Sequence, residues 1–468
     1  MKKLIFLILL FLSGNVNRLW AQSGSQTLAP EEVLQIIRSL HPVAKQADIL
    51  VEKAKADITI SRGAFDPYLK NTSAQKTFDG SDYYYYNRPS VNIPTWFGIE
   101  VEAGLEYLSG SRTDPTETSG ETSYIGLSVP LAKNLLMDKR RAALKTAQIF
   151  QEASEQERRL MLNDLFLNAM EAYWEWAKQF QQYKILEDAV EVNRKRLTLV
   201  RNAFLLGDRA AIDTTEALAQ LQNFEYLRDQ ALLEFRNAGL LLSTFLWTDK
   251  GTPYELPATV RPSGEWQAIN TNLIAEPRLD SLLEVAQTQH PALRVYDYKL
   301  RALDVEKKLK FQGLLPTVDF KYNQLGKGYD ILKTATGPLF ENSFQYGLSL
   351  GIPLRLSEGR GEYRKAKLKI DETRWQQDQK QLEIGNKLRA YYNEWKTLQQ
   401  QIRIQEQAYR NYLALQKAEE LRFESGESSL FLVNSRENKT LEALQKLQEL
   451  RAKFFKTGYA ITWATGGL

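Results

Sequence analysis

The chain has no cysteine. That excludes a disulfide framework, a zinc–thiolate site and a lipid carried on an N-terminal cysteine. Histidine is scarce as well, with two in 468 residues. Neither charge sign dominates: 61 Lys+Arg stand against 57 Asp+Glu, for a net charge of +4. Nucleic-acid binders usually leave a strong basic patch, so that partner is not expected. Long apolar runs are missing too. The longest, Leu4–Leu12, is far shorter than the about 20 residues of a spanning helix. With Lys2 and Lys3 before it and Leu19-Trp20-Ala21 ahead of Gln22, it reads as a secretory signal peptide over residues 1–21. A membrane role would then have to use β-strands, whose signal per segment is weak. There is no phosphate loop and no nucleophile beside a base, so the reading is of a non-enzyme with no cofactor and no metal site.

Proline and glycine are absent from Asp138 to Leu206. Strong helix formers fill the run. Leu186, Val190, Leu197, Val200 and Phe204 recur at helical steps near its end. It predicts a rod of roughly 100 Å, where the mean helix has about 11–12 residues. Gly207-Asp208 breaks it, and a second helical run follows from Ala211 to about Trp247. Glu362–Ser425, interrupted only by Gly385, repeats the device; Gly426 breaks it and Ser429 to about Tyr459 turns back. Each hairpin has glycine at its tip, where a left-handed backbone ends a helix without strain. The Gln-rich stretch 376–407 carries Leu382, Leu388, Trp395, Leu398 and Ile402, a coiled-coil pattern rather than low complexity.

Between the helices the period changes to two. Asp66-Pro67 opens a strand-like stretch through Phe78, and Asp79-Gly80 is a turn signal. Trp96–Leu108 alternates Ile99, Val101, Ala103, Leu105 and Tyr107 against Glu100, Glu102 and Glu106. Tyr124–Leu131 is a further strand. Later, Val318, Phe320 and Tyr322 oppose Asp319, Lys321 and Asn323, and Phe344–Ile352 alternates likewise. A half-buried soluble sheet also alternates. The aromatic content of the apolar faces, the charged opposite faces and the export signal favour a lipid-facing barrel.

The order of elements is duplicated. His290-Pro291 stands 249 residues after His41-Pro42, as Pro316 does after Pro67; Pro353 stands 223 after Pro130, and Gly426 stands 219 after Gly207. The organisation expected is residues 22–247 as the first repeat, 248–275 as a linker and 276–468 as the second repeat. Helices flank the strands of each copy, so each copy must send an even number of strands across. The first copy holds 26 surplus residues between Pro67 and Pro130 (249 − 223). Residues 83–93 are then either a fourth strand, weakened by Pro89, or a long outer loop.

Other constellations have plain structural readings. Each histidine sits at a helix break beside proline. The tyrosine run Tyr83–Tyr86 fits an interfacial belt or outer loop rather than a ligand site. Trp174, Trp176, Trp375 and Trp395 lie within long helices and read as packing.

The arrangement resembles the TolC-like outer-membrane efflux protein family. The residues that carry the resemblance are the two His-Pro pairs, Asp66-Pro67-Tyr68 and Leu314-Leu315-Pro316, Ser128-Val129-Pro130-Leu131 and Gly351-Ile352-Pro353-Leu354, and the tips 204–213 and 423–443. It implies an α+β membrane protein: a long α-helical coiled-coil barrel continuous with a transmembrane β-barrel shared by a homotrimer. Most of the chain would lie in the periplasm. It implies an exit duct for a tripartite efflux or type I secretion machine, with a periplasmic adaptor and an inner-membrane pump as partners and outer-membrane lipid around the strands. Adaptor contact falls on Phe204, Leu206, Gly207, Asp208 and Asp213 of the first tip. On the second tip it falls on Phe423, Ser425, Gly426, Glu427 and Leu430. Some members carry aspartates six and nine residues beyond the second tip glycine; Leu432 and Ser435 stand there, while Asp213 fits in the first copy. The competing reading is a periplasmic coiled-coil scaffold with a soluble sheet and no pore.

Overall fold

The computed structural model describes residues 27–111, 118–257 and 259–468. The expected signal peptide lies outside them, as does most of the polar stretch after Ser111. The chain divides into two compact units. One comprises the described residues up to Gln46 with Met161–Ala286 and Ile384–Leu468, the other Ala47–Leu160 and Gln287–Glu383.

The elements run β1 (Thr27–Leu28), α1 (Pro30–Leu40), α2 (Pro42–Gly63), β2 (Tyr68–Phe78), β3 (Ser81–Pro94), β4 (Glu100–Ser109), β5 (Gly120–Pro130), α3 (Lys139–Leu205) and α4 (Ala211–Ser243). They continue as β6 (Arg261–Pro262), α5 (Glu265–Ala268), α6 (Leu279–Gln289), α7 (Pro291–Phe311), β7 (Thr317–Lys327), α8 (Ile331–Ala335), β8 (Phe344–Gly351), α9 (Ser357–Glu424) and α10 (Leu430–Ala464). Helices α3 and α9 have 67 and 68 residues, as the missing prolines require. α9 begins five residues before Glu362, through Gly359 and Gly361; glycine costs only about 1 kcal/mol in a helix, too little to stop one.

The first unit is helical. Its core joins Val33 and Ile37 of α1 to Tyr173 and Trp176 of α3 and Leu242 of α4. Residues expected to be a bare linker enter it. β6 pairs in parallel with β1, and Trp266 of α5 packs edge-on against Trp174, centroids 5.6 Å apart. Nearer the tips, Leu186, Val190, Leu197 and Val200 of α3 close on Leu221 and Phe224 of α4. On α9, Leu388, Trp395, Leu398 and Ile402 are buried but Leu382 is exposed. Each fully buried aliphatic side chain contributes about 1.5–3 kcal/mol.

The second unit contains a six-stranded antiparallel sheet in the order β2-β3-β4-β5-β7-β8. The fourth-strand reading of residues 83–93 is the one the structure adopts. Asp79 and Gly80 take φ of 51° and 71°, the left-handed pair of a two-residue hairpin turn. Tyr85 then lies opposite Gln75 on one side and Ser109 on the other. The ladder to β4 lapses at Arg88 and Pro89, between Asn87↔Tyr107 and Ser90↔Gly104, because proline has no N–H to donate. The other tryptophan expectation needs one correction. Trp375 is 74% exposed, not packed, in this single chain.

Candidate functional sites: the sheet faces and the helix tips

Register assigns the side chains of the sheet to two faces. Leu69, Val91, Ala103 and Ile125 share one row, and Leu127 and Tyr322 belong to the same face. Val318, Phe320, Leu348 and Leu350 continue that face across β7 and β8. Leu348, Leu350 and Ile352 are 63%, 65% and 65% exposed. A row of large apolar side chains with no protein over it is a surface for something other than water.

The opposite face is charged. Arg88 on β3 donates from Nε to the Tyr124 hydroxyl on β5 at 2.8 Å, and that hydroxyl donates to Glu102 on β4 at 2.7 Å. Lys321 on β7 reaches the other Glu102 oxygen at 3.5 Å. Four strands are thus tied by side chains across one polar surface. At the base of the same face, Arg140 pairs with Glu100.

Residues between β7 and β8 fold back over the far end of the apolar face, a feature absent from the sequence reading. Thr334 of α8 shares a 2.9 Å hydrogen bond with Ser123, Gln324 donates to the Pro338 carbonyl at 3.0 Å, and the Phe340 ring packs 4.3 Å from that of Tyr322. Ser123 and Gln324 point to the apolar side, where an unpaired polar group is costly. The fold-back satisfies them and ends the apolar band there.

Both edges of the sheet are free in the single chain: every residue of β2 and of β8 is exposed. Unpaired strand edges accept another strand.

In the first unit, the two helix tips share one construction. At the first, Gly207 has φ +85°; its N–H bonds the Phe204 carbonyl at 3.0 Å and the Asp208 N–H bonds Ala203 at 2.9 Å. At the second, Gly426 has φ +79°, with Gly426 N–H to Phe423 at 3.1 Å and Glu427 N–H to Arg422 at 2.8 Å. These are the two nested bonds that end a helix on a left-handed glycine. The tips also touch. Arg209 donates to the Phe423 carbonyl at 2.7 Å and its guanidinium lies 4.0 Å over the Phe423 ring.

Of the tip residues singled out from sequence, Phe204, Leu206, Asp208, Ser425 and Glu427 are exposed, and Asp213 and Phe423 are half-buried. Leu430 is the exception. It is 1% exposed and packs in the core with Leu221 and Phe224, so in this chain it is a core residue rather than part of the tip surface. The apolar surface is instead extended by Leu205, Ile212 and Phe431, each more than two-thirds exposed or close to it at 79%, 72% and 67%. Helical periodicity could have found them, since they lie off the buried stripe.

Behind the tips, Arg196 of α3 holds Glu437 of α10 with two bonds of 2.6 and 3.2 Å. Asn193 donates to the same carboxylate at 3.1 Å, and Glu420 lies 3.4 Å from the guanidinium. The Glu437 side chain is only 4% exposed. A buried carboxylate is tolerated when charge and hydrogen bonds both meet it.

The two histidines do the same job in their own units. His41 Nδ1 accepts from the Val43 N–H at 3.1 Å, and His290 Nδ1 accepts from the Ala292 N–H at 3.1 Å. Each caps a helix whose first residue is proline. Burial lowers the His41 pKa, partly offset by a bond to the Thr244 backbone.

Comparison with known proteins agrees with this geometry. The family described as outer membrane efflux protein matches residues 282–467. The Campylobacter jejuni CmeC outer membrane channel superposes with a TM-score of 0.65 at 15% identity, covering 94% of this chain and 85% of that one. The outer membrane protein VceC of Vibrio cholerae gives 0.64 at 14%, covering 94% and 96%. The Neisseria gonorrhoeae MtrE outer membrane channel gives 0.64 at 12%, covering 94% and 89%. No protein with a curated description matches. In its second half this chain is similar to the outer membrane efflux protein family, and over nearly all its length it has the fold of outer-membrane channels.

Proposed function

We propose that the chain is the outer-membrane exit duct of a tripartite efflux or type I secretion system, conducting substrates passively from periplasm to outside. One observation carries the reading: a sheet with an exposed apolar face, a charged opposite face and two unpaired edges. The apolar face suits lipid and the charged face suits a water-filled lumen. A soluble scaffold has no use for the first. Three copies share one transmembrane β-barrel, and their long helices form a coiled-coil barrel in the periplasm. The chain carries out no reaction. The duplicated element order and the two matching histidine caps support two repeats, 22–247 and 276–468, after removal of a signal peptide over 1–21. The tips, with Phe204, Leu206 and the neighbouring apolar residues, meet a periplasmic adaptor joined to an inner-membrane pump.

Fractionation and planar-bilayer recording test this directly. The protein should sediment with the outer membrane and form single channels in the bilayer. A soluble, electrically silent protein would sink the reading. Photo-crosslinkers at Leu206 and Phe431 should capture an adaptor in cells, and a capture pattern unchanged when they are moved to exposed Leu240, at the end of α4 away from the tip, would remove the tips from it.

A further inference from the structure

The first half of the chain contributes four strands and the second two. We propose that all six enter the shared wall, so that the exit is an eighteen-stranded, water-filled barrel wide enough for bulky hydrated cargo. The proposal rests on the trimeric-duct reading above.

The β2–β3 hairpin is built as wall, not as an appendage. β3 is paired on both sides, with β2 and with β4. It is also tied by side chains to strands beyond its neighbour. Arg88 of β3 reaches over β4 to the Tyr124 hydroxyl on β5, and its guanidinium lies 4.3 Å from the Tyr124 ring. β4 makes room for this with Gly104, which stands in the row between Ser90 and Tyr124. A Cβ there would lie 2.8 Å from the Tyr124 hydroxyl oxygen and 2.7 Å from the Pro89 carbonyl oxygen. A hairpin that merely hung over the barrel mouth would not need a bare backbone on the next strand.

The edges then decide closure. Six strands are too few for a barrel, for which about eight is the practical minimum. β2 leaves the helical end of the sheet and β8 returns to it, so β8 of one copy meets β2 of the next antiparallel. Repeating that step about a single axis closes a ring and leaves no edge. Three chains of six strands make eighteen. Barrel diameter grows roughly linearly with strand number, and about 16–18 strands leave an open aqueous channel.

The absence of cysteine makes the test clean. In Leu348→Cys combined with Leu69→Cys, a short bis-maleimide should link full-length chains into trimers. Leu348→Cys with Val101→Cys should give no links. Links through position 101, or none through position 69, would overturn the proposal, because β4 rather than β2 would then be the edge. A second measurement uses the pore. Deleting residues 68–94 joins Pro67 to Thr95 and leaves four strands per chain. Polyethylene glycols of graded size, added from the barrel side in planar bilayers, should then be excluded at a radius smaller by about a third. An unchanged cut-off would also overturn it. A wild-type protein that forms no channel at all would instead overturn the duct reading on which the proposal stands.

Discussion

The two glycine tips close their long helices alike and open the returning helices differently. Each long helix ends on the same pair of nested backbone bonds. After Gly426, Ser429 caps α10 by accepting from the Leu432 N–H at 3.4 Å, and Leu430 drops into the core. After Gly207, Ala210 has no side-chain acceptor to offer, and Ala211 and Ile212 stay exposed. The first tip takes its hold from its neighbour: its own Arg209 grips Phe423 at the end of α9. The second is anchored by its own apolar residue and cap. The difference teaches that a shared turn does not imply a shared attachment: the left-handed glycine sets only where each rod stops.

Breaking the anchor behind the second tip should have the largest effect. Glu437→Ala takes from the Arg196 guanidinium, whose side chain is 13% exposed, its two-bond carboxylate partner and leaves Glu420 at 3.4 Å as the one carboxylate near it among the described residues. Loss of one partner of a buried pair costs about 3–5 kcal/mol, read as a lower midpoint in urea unfolding of the detergent-solubilised protein. The position 219 residues earlier is Leu218, which packs against the apolar cluster and carries no charge. A loss from Glu437→Ala no greater than that of an exposed glutamate would show that the ion pair does not anchor the second tip.

Gly207→Val and Gly426→Val should cost about 1–2 kcal/mol each, the strain of a left-handed residue with a Cβ. Neither glycine has an atom within 4 Å of the added carbon, so the two penalties should match. Unequal losses would reveal a contact specific to one tip. Efflux should fall in both variants while outer-membrane insertion persists; normal drug or metal tolerance would separate the tips from transport.

The caps sharpen the contrast. Ser429→Ala should lose about 1 kcal/mol and Ala210→Ser should gain a similar or smaller amount. Chemical denaturation of the two variants decides it, and equal responses would mean that capping does not distinguish the tips.

The smallest effect is a pH dependence at His41. Burial holds its pKa below the ordinary 6.5, and its cap requires an unprotonated Nδ1. The stabilisation is therefore complete above the ordinary value and is lost as pH falls through the lower folded-state value. His41→Asn keeps a capping acceptor that does not titrate. Melting curves of wild type and variant should run parallel at pH 8 and diverge below about pH 6.5. Parallel behaviour down to pH 5 would remove His41 as the acid-sensitive cap.

The sequence by itself determined the long helices, the tip glycines, the proline-led helix starts and five of the six sheet strands. All of these obey local rules: a period of 3.6 or 2, a missing proline, a residue able to take positive φ. Residues 83–93 were open between strand and loop, because Pro89 removes a donor and only the partners on β2 and β4 show that the ladder survives the gap. Of the tip residues, the glycines and the exposed Phe204 and Leu206 were legible. The inward turn of Leu430 was not, since burial there depends on α3 and α4, which lie far from it in sequence. Tertiary structure alone decided that Trp266 of the apparent linker enters a core, that the segment after β7 folds back over Ser123 and Gln324, and that Arg88 crosses a glycine to reach Tyr124. Each depends on residues brought together by folding, and no local periodicity records them.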